Sequence, residues 1–454
     1  MLNDAPFPPL GRQSRFPCRY MSQPFASRAF FVPKLHRVFE FFGSQGLATA
    51  GNLFYGFLCV RLLPFSGYAK YAVAFGFLGS LTVLMDVGIS GTLLPLIGER
   101  IDDRELIADY VATVRQLAHW VFLLVALIAI VVFPLIVRKQ HWGWETDAAI
   151  ISAILVAGWC ARVGGTYGAV LIVRRDRTVW YRVQIVASYG TLALLGICWA
   201  GNCLNAMSAI LINVAGMAFA STAYFVRARH LLGLTGRASR EKRNAILHLA
   251  LPSMPNSVFY AWHGQIALVV ITFFGHAVAV ASLGALSRLA QMFLLLSQMN
   301  PLLIEPYFAK LPRALLKRNY VLALVTAGSV CVCVGGLAAC FPELYLWVLG
   351  QKYSSLHLEL LLIIVASCIY YLQGVMWTIH TSRRFVYWWN NTAVICVTLA
   401  IEIFFIVRVD LSTVRGVLTM NLATAAGALV LSILTGVYGF ARGPREIRET
   451  TVTP

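Results

Sequence analysis

The chain has 454 residues, of which 59% are hydrophobic and 12% charged, with mean hydropathy +0.73 and formal net charge +18. Soluble domains are ~45–50% apolar and about 25% charged, so this composition excludes a soluble globular protein and implies a polytopic membrane protein. The basic residues fall in alternate loops between apolar runs, which excludes a nucleic-acid footprint and matches the pattern that orients membrane helices.

Residues 1–37, with Pro6, Pro8, Pro9, Pro17, Arg12, Arg15, Arg19 and Arg28, read as a disordered basic cytoplasmic arm. No apolar segment precedes the first span, so a cleavable signal peptide is not expected; Met21 is a second candidate start. Apolar runs of ~20 residues suffice to cross a bilayer as helices. They predict twelve spans, at 38–60, 69–96, 117–137, 148–172, 180–200, 204–226, 247–274, 279–304, 320–341, 357–379, 385–407 and 416–440. The expected fold is therefore all-α and integral to the membrane. Its two six-helix lobes cover 38–227 and 247–441, joined by a cytoplasmic linker at 228–246 and followed by a cytoplasmic tail at 442–454.

With the N-terminus inside, 28 of the 37 Lys and Arg fall in cytoplasmic segments and 7 in outer loops, which supports the span count and the cytoplasmic termini. Both halves run from inside to inside, so they read as parallel repeats about an axis along the membrane normal. The second and eighth spans share a proline-containing exit, LLPLIGER (93–100) and LIEPYFAKL (303–311). No outer loop is long enough for a soluble domain. Neither a phosphate-binding P-loop nor a G-x-S-x-G or H-E-x-x-H signature is present. Cys331 and Cys333 lack partners at metal spacing and read as packing residues. A secondary transporter is expected, not an enzyme, and no cofactor is called for.

Polar residues inside spans face protein or a water-filled cavity. Gln45, Thr49 and Asn52 form one stripe on the first span, and Ser253, Asn256, Tyr260 and His263 form another on the seventh. Arg288, Gln291 and Gln298 share a face of the eighth; Arg162 and Thr166 lie one turn apart on the fourth. Two readings stand for the stripes: a cavity between the lobes, or interhelical hydrogen bonding without a ligand. Arg162 and Arg288 need partners. Asp86 could supply one through a structural salt bridge, or the guanidinium groups await an anion, since their planar fork suits phosphate oxygens. His263 is a candidate proton carrier. Pro252 and Pro255 permit a kink in the seventh span. Glu40 and Glu402 are expected to be solvated near helix ends. Trp142, Trp144, Trp180, Trp199, Trp388 and Trp389 are expected in an interfacial belt.

The stretches RLLPFSGYAKYAVAFGFLGSLTVLMDVGISGTLLPLIGER (61–100), ASLGALSRLAQMFLLLSQMNPLLIEPYFAKL (281–311) and PELYLWVLGQKYSSLHLELLLIIVAS (342–367) resemble the Wzx-type polysaccharide flippases. These belong to the multidrug/oligosaccharidyl-lipid/polysaccharide exporter (MOP) superfamily, which also holds multidrug and toxin extrusion (MATE) transporters. The resemblance covers about residues 38–440 and rests on small, apolar and turn residues. It implies movement of an undecaprenyl-diphosphate-linked oligosaccharide across the bacterial cytoplasmic membrane, by alternating access of two lobes around a cationic cavity, for lipopolysaccharide or exopolysaccharide synthesis. The substrate-binding candidates are then Arg162, Arg288, Gln45, Asn52, Asn256, Tyr260, His263 and Gln291, and the ion-coupling candidates Asp86 and His263. The D-x-G of MDVGIS (85–90) occurs at this place in similar proteins, so Asp86 serves structural pairing or ion coupling. The implied partners are membrane lipid, the lipid-linked oligosaccharide, a proton or sodium ion, and neighbouring polymerase or glycosyltransferases, with no nucleic acid. Two departures stand out. Ala267 and Leu268 occupy the region where relatives carry an acidic residue, and twelve spans differ from the fourteen of lipid II flippases.

Rival readings remain open. A multidrug or cation antiporter of the same fold would want acidic residues in its cavity. A major facilitator transporter would want G-x-x-x-D-R-x-G-R where this chain has GERIDDRE (98–105). A membrane enzyme would want a long catalytic outer loop. A non-transporting subunit of a polysaccharide synthesis machine is the fourth.

Overall fold

With mostly apolar side chains and a bilayer in which every backbone group must bond internally, helices are the available solution, and helices are what form. The computed structural model describes residues 32–97, 103–174, 176–233, 236–251, 254–385 and 387–442. Most of the expected arm, Met21, Pro252, Ser253 and the tail beyond Arg442 lie outside the described residues, as does the Glu40 side chain. Side-chain packing below belongs to residues 42–454; of the unit 1–41, only the helical backbone from Val32 is described.

The first half contains α1 (Val32–Leu62), α2 (Phe65–Asp86), α3 (Leu93–Ile97), α4 (Arg104–Val137), α5 (Trp144–Val173), α6 (Arg177–Ala200) and α7 (Ala206–Leu232). The second contains α8 (Arg240–Ala250), α9 (Met254–His263), α10 (Ile266–Phe274), α11 (Ala277–Ala290), α12 (Met292–Gln298), α13 (Glu305–Lys310), α14 (Arg313–Cys340), α15 (Pro342–Leu349), α16 (His357–Ser382), α17 (Trp388–Arg408) and α18 (Val414–Arg442). Among the described residues ten helices are long and apolar enough to cross a membrane, eleven if a bent pair counts as one span. α1 covers the position of the first expected span without being among them. Large apolar side chains such as Leu124, Val332 and Val407 stand exposed on these helices, as a lipid-facing surface requires.

Within the first half α5 packs along α7, and α6 and α4 flank them; within the second α16 packs along α18 and α14. α2 joins the halves by crossing α11 and α9. Small residues permit that crossing. A Cβ added at Gly284 would meet the Ala72 Cβ at 2.6 Å, and one at Gly76 would meet Leu268 Cδ2 at 2.2 Å. Close backbone approach through small residues is how membrane helices gain packing without a hydrophobic driving force. Cys331 and Cys368 are buried where α14 meets α16, each thiol 3.6 Å from the other's carbonyl oxygen.

Three expectations about continuity are corrected. The span expected to reach 96 stops at Asp86, because Val87 and Gly88 adopt φ of 41° and 79°. The Asp86 Oδ1 accepts the Ser90 N–H at 3.0 Å and holds the reversal that leads into α3. A β-branched residue in the left-handed region is strained by roughly 1–2 kcal/mol, so Val87→Gly is expected to raise the thermal unfolding midpoint. Asp86→Ala is expected to lower it by about 1 kcal/mol, the usual effect of losing a capping oxygen; unfolding in detergent checks both.

The seventh span, expected as one run over 247–274, is broken. α9 and α10 meet at Gly264 and Gln265 with a bend of 46°. Pro255 sits in the first turn of α9, where a missing N–H is harmless, and is not the site of that bend. The eighth span is interrupted too, by a π-turn at Asn300–Ile304 before α13. Among the described residues, much of the stretch expected as the linker, 228–246, is helical. α7 runs on to Leu232, and α8 takes residues 240–250, with Ile246 and Ala250 buried in a cluster with Ile89, Ile107 and Val111. Asp109 on α4 fastens it, accepting the Arg237 N–H at 2.8 Å and pairing with Lys242.

Candidate functional site

Arg288 stands where the halves cross. α11 carries it, α2 supplies Tyr71 and Phe75, and α1 comes so close that a Cβ on Gly56 would lie 3.0 Å from the Arg288 Cδ. The side chain is 4% exposed. Its guanidinium lies 4.0 Å above the Phe75 ring and 5.5 Å from that of Tyr71. Nη2 donates to the Tyr71 hydroxyl at 3.3 Å and Nη1 to Gln291 Oε1 at 3.1 Å. Among the described residues no carboxylate pairs with it. Two neutral acceptors and two ring faces offset an insertion cost of ~2.5–3.5 kcal/mol. They leave the positive charge intact. Arg288 and Gln291, foreseen together, are thus in direct contact. The anticipated pairing of Asp86 with either arginine is absent among the described residues, because that carboxylate is used at the end of α2.

The two amide stripes lie on α1 and α9. On α1, Gln45 buries its Oε1 without a partner, and Asn52 is exposed. On α9, Asn256 buries its Oδ1 without a partner, and Tyr260 is 44% exposed. Unpartnered acceptors inside a membrane protein are costly.

His263 ends α9 and belongs to a separate network in the second half. Its Nδ1 lies 2.9 Å from Glu402 Oε1 on α17, and its Nε2 lies 3.4 Å from the Tyr370 hydroxyl on α16. Tyr370 donates to Asn421 Oδ1 at 3.0 Å and lies 3.3 Å from Thr424 Oγ1 on α18. Phe259 stacks on the imidazole at 5.6 Å. Glu402 was expected to be solvated; it is buried, because the apolar run ICVTLAIEIFFIV (395–407) draws it into the bundle, where His263 receives it. A carboxylate–imidazole pair can hold or release a proton, or lend its oxygens to a small cation. The sequence reading missed Glu402, Tyr370, Asn421 and Thr424; the one available signal was a carboxylate amid uninterrupted aliphatic residues.

Arg162, also expected in the cavity, has different company. It stacks on Trp159 at 4.0 Å and reaches the Arg115 carbonyl oxygen on α4 at 3.4 Å, and its Nε has no partner. None of its described contacts is shared with Arg288.

With this geometry in view, comparison with known proteins bears on fold. No family profile matches the chain, and no curated protein matches it in sequence. Solved structures do match. A MATE-family multidrug resistance transporter in an inward-facing conformation superposes with a TM-score of 0.64 at 17% identity, covering 87% of this chain and 94% of that one. The lipid II flippase MurJ in an inward closed conformation gives 0.59 at 12%, covering 88% and 89%. A transporter from Pyrococcus furiosus, described as having a binding pocket of reverse polarity, gives 0.54 at 15%, covering 88% and 92%. The fold is that of the MOP-superfamily transporters. The chain is accordingly a multi-pass membrane protein, and these structural neighbours are transporters and not enzymes.

In this MOP fold the two halves are fastened at the end expected to face outward. Gln140, just beyond α4, donates from Nε2 to the Thr272 and Gly275 carbonyl oxygens at 2.9 and 3.0 Å, and Lys139 reaches that of Phe274 at 3.3 Å. Lys352 donates to the Leu63 carbonyl oxygen, Arg61 lies over Trp347 at 5.2 Å, and Phe65 meets Tyr353 edge-on at 5.2 Å. Gly284→Leu should force α2 and α11 apart behind these contacts. Cysteine cross-linking between position 140 and position 275 should then fall to background in Gly284→Leu and stay efficient in the chain that keeps Gly284.

Proposed function

We propose that the chain is a flippase that carries an undecaprenyl-diphosphate-linked oligosaccharide across the bacterial cytoplasmic (inner) membrane, for synthesis of a surface polysaccharide. One observation carries the reading: Arg288, buried at the crossing of the halves, keeps its full charge with no carboxylate partner among the described residues. A diphosphate cannot cross hydrocarbon unaided, and a guanidinium replaces part of its hydration. Gln45, Asn52, Asn256, Tyr260 and Gln291 offer amide and hydroxyl groups to the glycan. The MOP fold, shared with MurJ, a lipid II flippase, supports this reading, as does the net charge of +18. The fastened outer end is then a closed outer gate, and alternating access requires it to part. Polymerase and glycosyltransferases would be the functional neighbours.

The test is deletion of the gene in its host with lipid-linked oligosaccharide measured in the membrane. Accumulation with loss of surface polymer supports the proposal. Unchanged lipid-linked sugars with a new sensitivity to cationic drugs would replace it by the second reading, a cation-coupled multidrug antiporter. That second reading draws on the buried Glu402, an acidic group of the kind a cationic substrate would need.

A further inference from the structure

We propose that Cys198 and Cys203 are an oxidation site: they form a disulfide across the turn that joins α6 to α7, made by a protein disulfide oxidant on the outer side of the membrane. The pairing depends on the bacterial inner-membrane location proposed above, with this turn outside, and not on what the chain carries.

The end of α6 brings the two residues together. The chain leaves α6 by a reversal in which the Cys203 N–H donates back to the Cys198 carbonyl oxygen at 3.0 Å, the Asn202 N–H donates to that of Trp199 at 3.0 Å, and Asn202 takes a left-handed φ of 53°. This bond pattern closes many helices, and a side-chain contact between its first and last residues commonly accompanies it. Here both of those residues are cysteine. The Cys203 Sγ folds back over the helix end. It donates to the Cys198 carbonyl oxygen at 3.3 Å and lies 3.7 Å from where a Cβ on Gly201 would stand. The two thiols are free and in hydrogen-bond contact with each other. A main-chain bond between the same two residues keeps their Cα atoms near the ~4.4–6.8 Å that a disulfide spans, so oxidation needs side-chain rotation and no shift of either helix.

Position supplies the oxidant. α5 and α6 are both long and apolar enough to cross the membrane, so the α6–α7 turn returns to the side where Gln140 holds the Gly275 carbonyl oxygen. No charged residue stands between Arg182 and Arg227, whereas Arg174, Arg177, Arg227 and Arg229 cluster at the opposite ends of α6 and α7. An uncharged turn opposite a basic one marks the outer side. Trp199, 59% exposed beside Cys198, belongs to the polar boundary that such side chains favour. Cys203 is exposed and, among the described residues, is the one cysteine outside a helix; Cys198 is half-buried. Disulfides form and persist on that side of the membrane. In the exchange, the Cys203 thiolate, its proton lost to water, attacks one sulfur of the oxidant's disulfide and expels the other as a thiolate. The Cys198 thiolate then attacks the Cys203 Sγ, which forms the Cys198–Cys203 bond and frees the second oxidant sulfur. The pair loses two protons and two electrons, and the oxidant leaves as a dithiol.

The experiment treats spheroplasts carrying the full-length protein with a membrane-impermeant maleimide, with or without prior reduction by an impermeant phosphine, and reads each cysteine by peptide mass spectrometry. Chymotrypsin cuts after Trp199, so the bond would join two peptides. Without reduction, neither Cys198 nor Cys203 should be labelled and the joined peptides should be recovered. After reduction, Cys203 should be labelled from outside. Cys203→Ser should leave Cys198 as a free thiol whether or not phosphine is added, and cells lacking their protein disulfide oxidants should lose the joined peptides. Labelling of Cys203 without reduction overturns the disulfide while leaving the outward turn in place. Labelling only after the membrane is permeabilised puts the turn inside, and overturns the orientation together with the pairing. A reducible link from Cys203 to a second chain, seen as a dimer on a non-reducing gel, overturns the proposal as well.

Discussion

Replacing Arg288 with Met is expected to abolish export while leaving the fold as stable as before. The two effects separate because of what surrounds the side chain. Arg288 is enclosed by Phe75, Tyr71, Gln291 and the backbone of α1. Burying its charge costs ~2.5–3.5 kcal/mol on insertion scales, and an unbranched apolar side chain removes that cost. Against this, the Tyr71 hydroxyl and Gln291 Oε1 lose their donor, at ~1–3 kcal/mol each when buried. The terms nearly cancel, so the thermal midpoint should move little. Transport has no such cancellation. On the proposed flippase reading, losing two charge-assisted bonds to a diphosphate, at ~1.5–3 kcal/mol each, weakens the bound state by about 3 kcal/mol or more, which is about 100-fold. Lipid-linked oligosaccharide should accumulate in cells carrying only the Met variant, and Arg288→Lys, with charge but no fork, should fall between. A Met variant that exports normally would make Arg288 a packing residue. A Met variant that unfolds would make it a structural one.

How far the sequence foretold this depended on whether a feature was local. Apolar runs are local, and they located the long helices but not all of their ends: α4 begins at Arg104 where 117 was expected, and α2 stops at Asp86 where 96 was expected. Helix breaks depend on single backbone conformations. The left-handed Val87 that ends α2 is invisible to periodicity, since valine argues against it, although Gly88 and the capping Asp86 beside it were legible in retrospect. The bend at Gly264 and Gln265 was likewise masked by hydrophobic residues on both sides. Pairings were the least legible. Arg288 and Gln291 are three residues apart on one helix and were seen together. His263 and Glu402 are 139 residues apart, and only the tertiary fold, which brings the end of α9 to Glu402 on α17 and Tyr370 on α16, makes the carboxylate a buried partner. Arg162 read as a cavity residue because an intramembrane arginine usually is one; its stacking on Trp159 and its proximity to Arg115 required the α4–α5 contact.

On the reading that the His263–Glu402 pair carries a coupling ion, Glu402→Gln is expected to uncouple transport from the ion gradient without preventing it. The amide keeps the volume and can still bond the His263 ring 2.9 Å away, so Tyr370, Asn421 and Thr424 stay in place. What it lacks is a charge that a proton or sodium ion could neutralise. In proteoliposomes, wild-type flux should therefore respond to an imposed proton or sodium gradient, and the Gln variant should equilibrate substrate at a rate indifferent to both. Comparing the two gradients in wild type identifies the ion. Glu402→Ala is a harsher change, because it strands a buried imidazole, and breaking a buried pair by removing one partner costs about 3–5 kcal/mol. His263→Ala together with Glu402→Ala should then destabilise by less than the sum of the single changes, with an interaction energy of roughly 0.5–3 kcal/mol. Additive effects would mean that the two side chains do not act as a pair. Gradient-driven flux that survives in Glu402→Gln would place coupling elsewhere, with Asp86 the next carboxylate to test. Its oxygen already holds the Ser90 N–H, so an ion bound there would have to act on the turn that ends α2, and the flux of Asp86→Asn would change together with its stability.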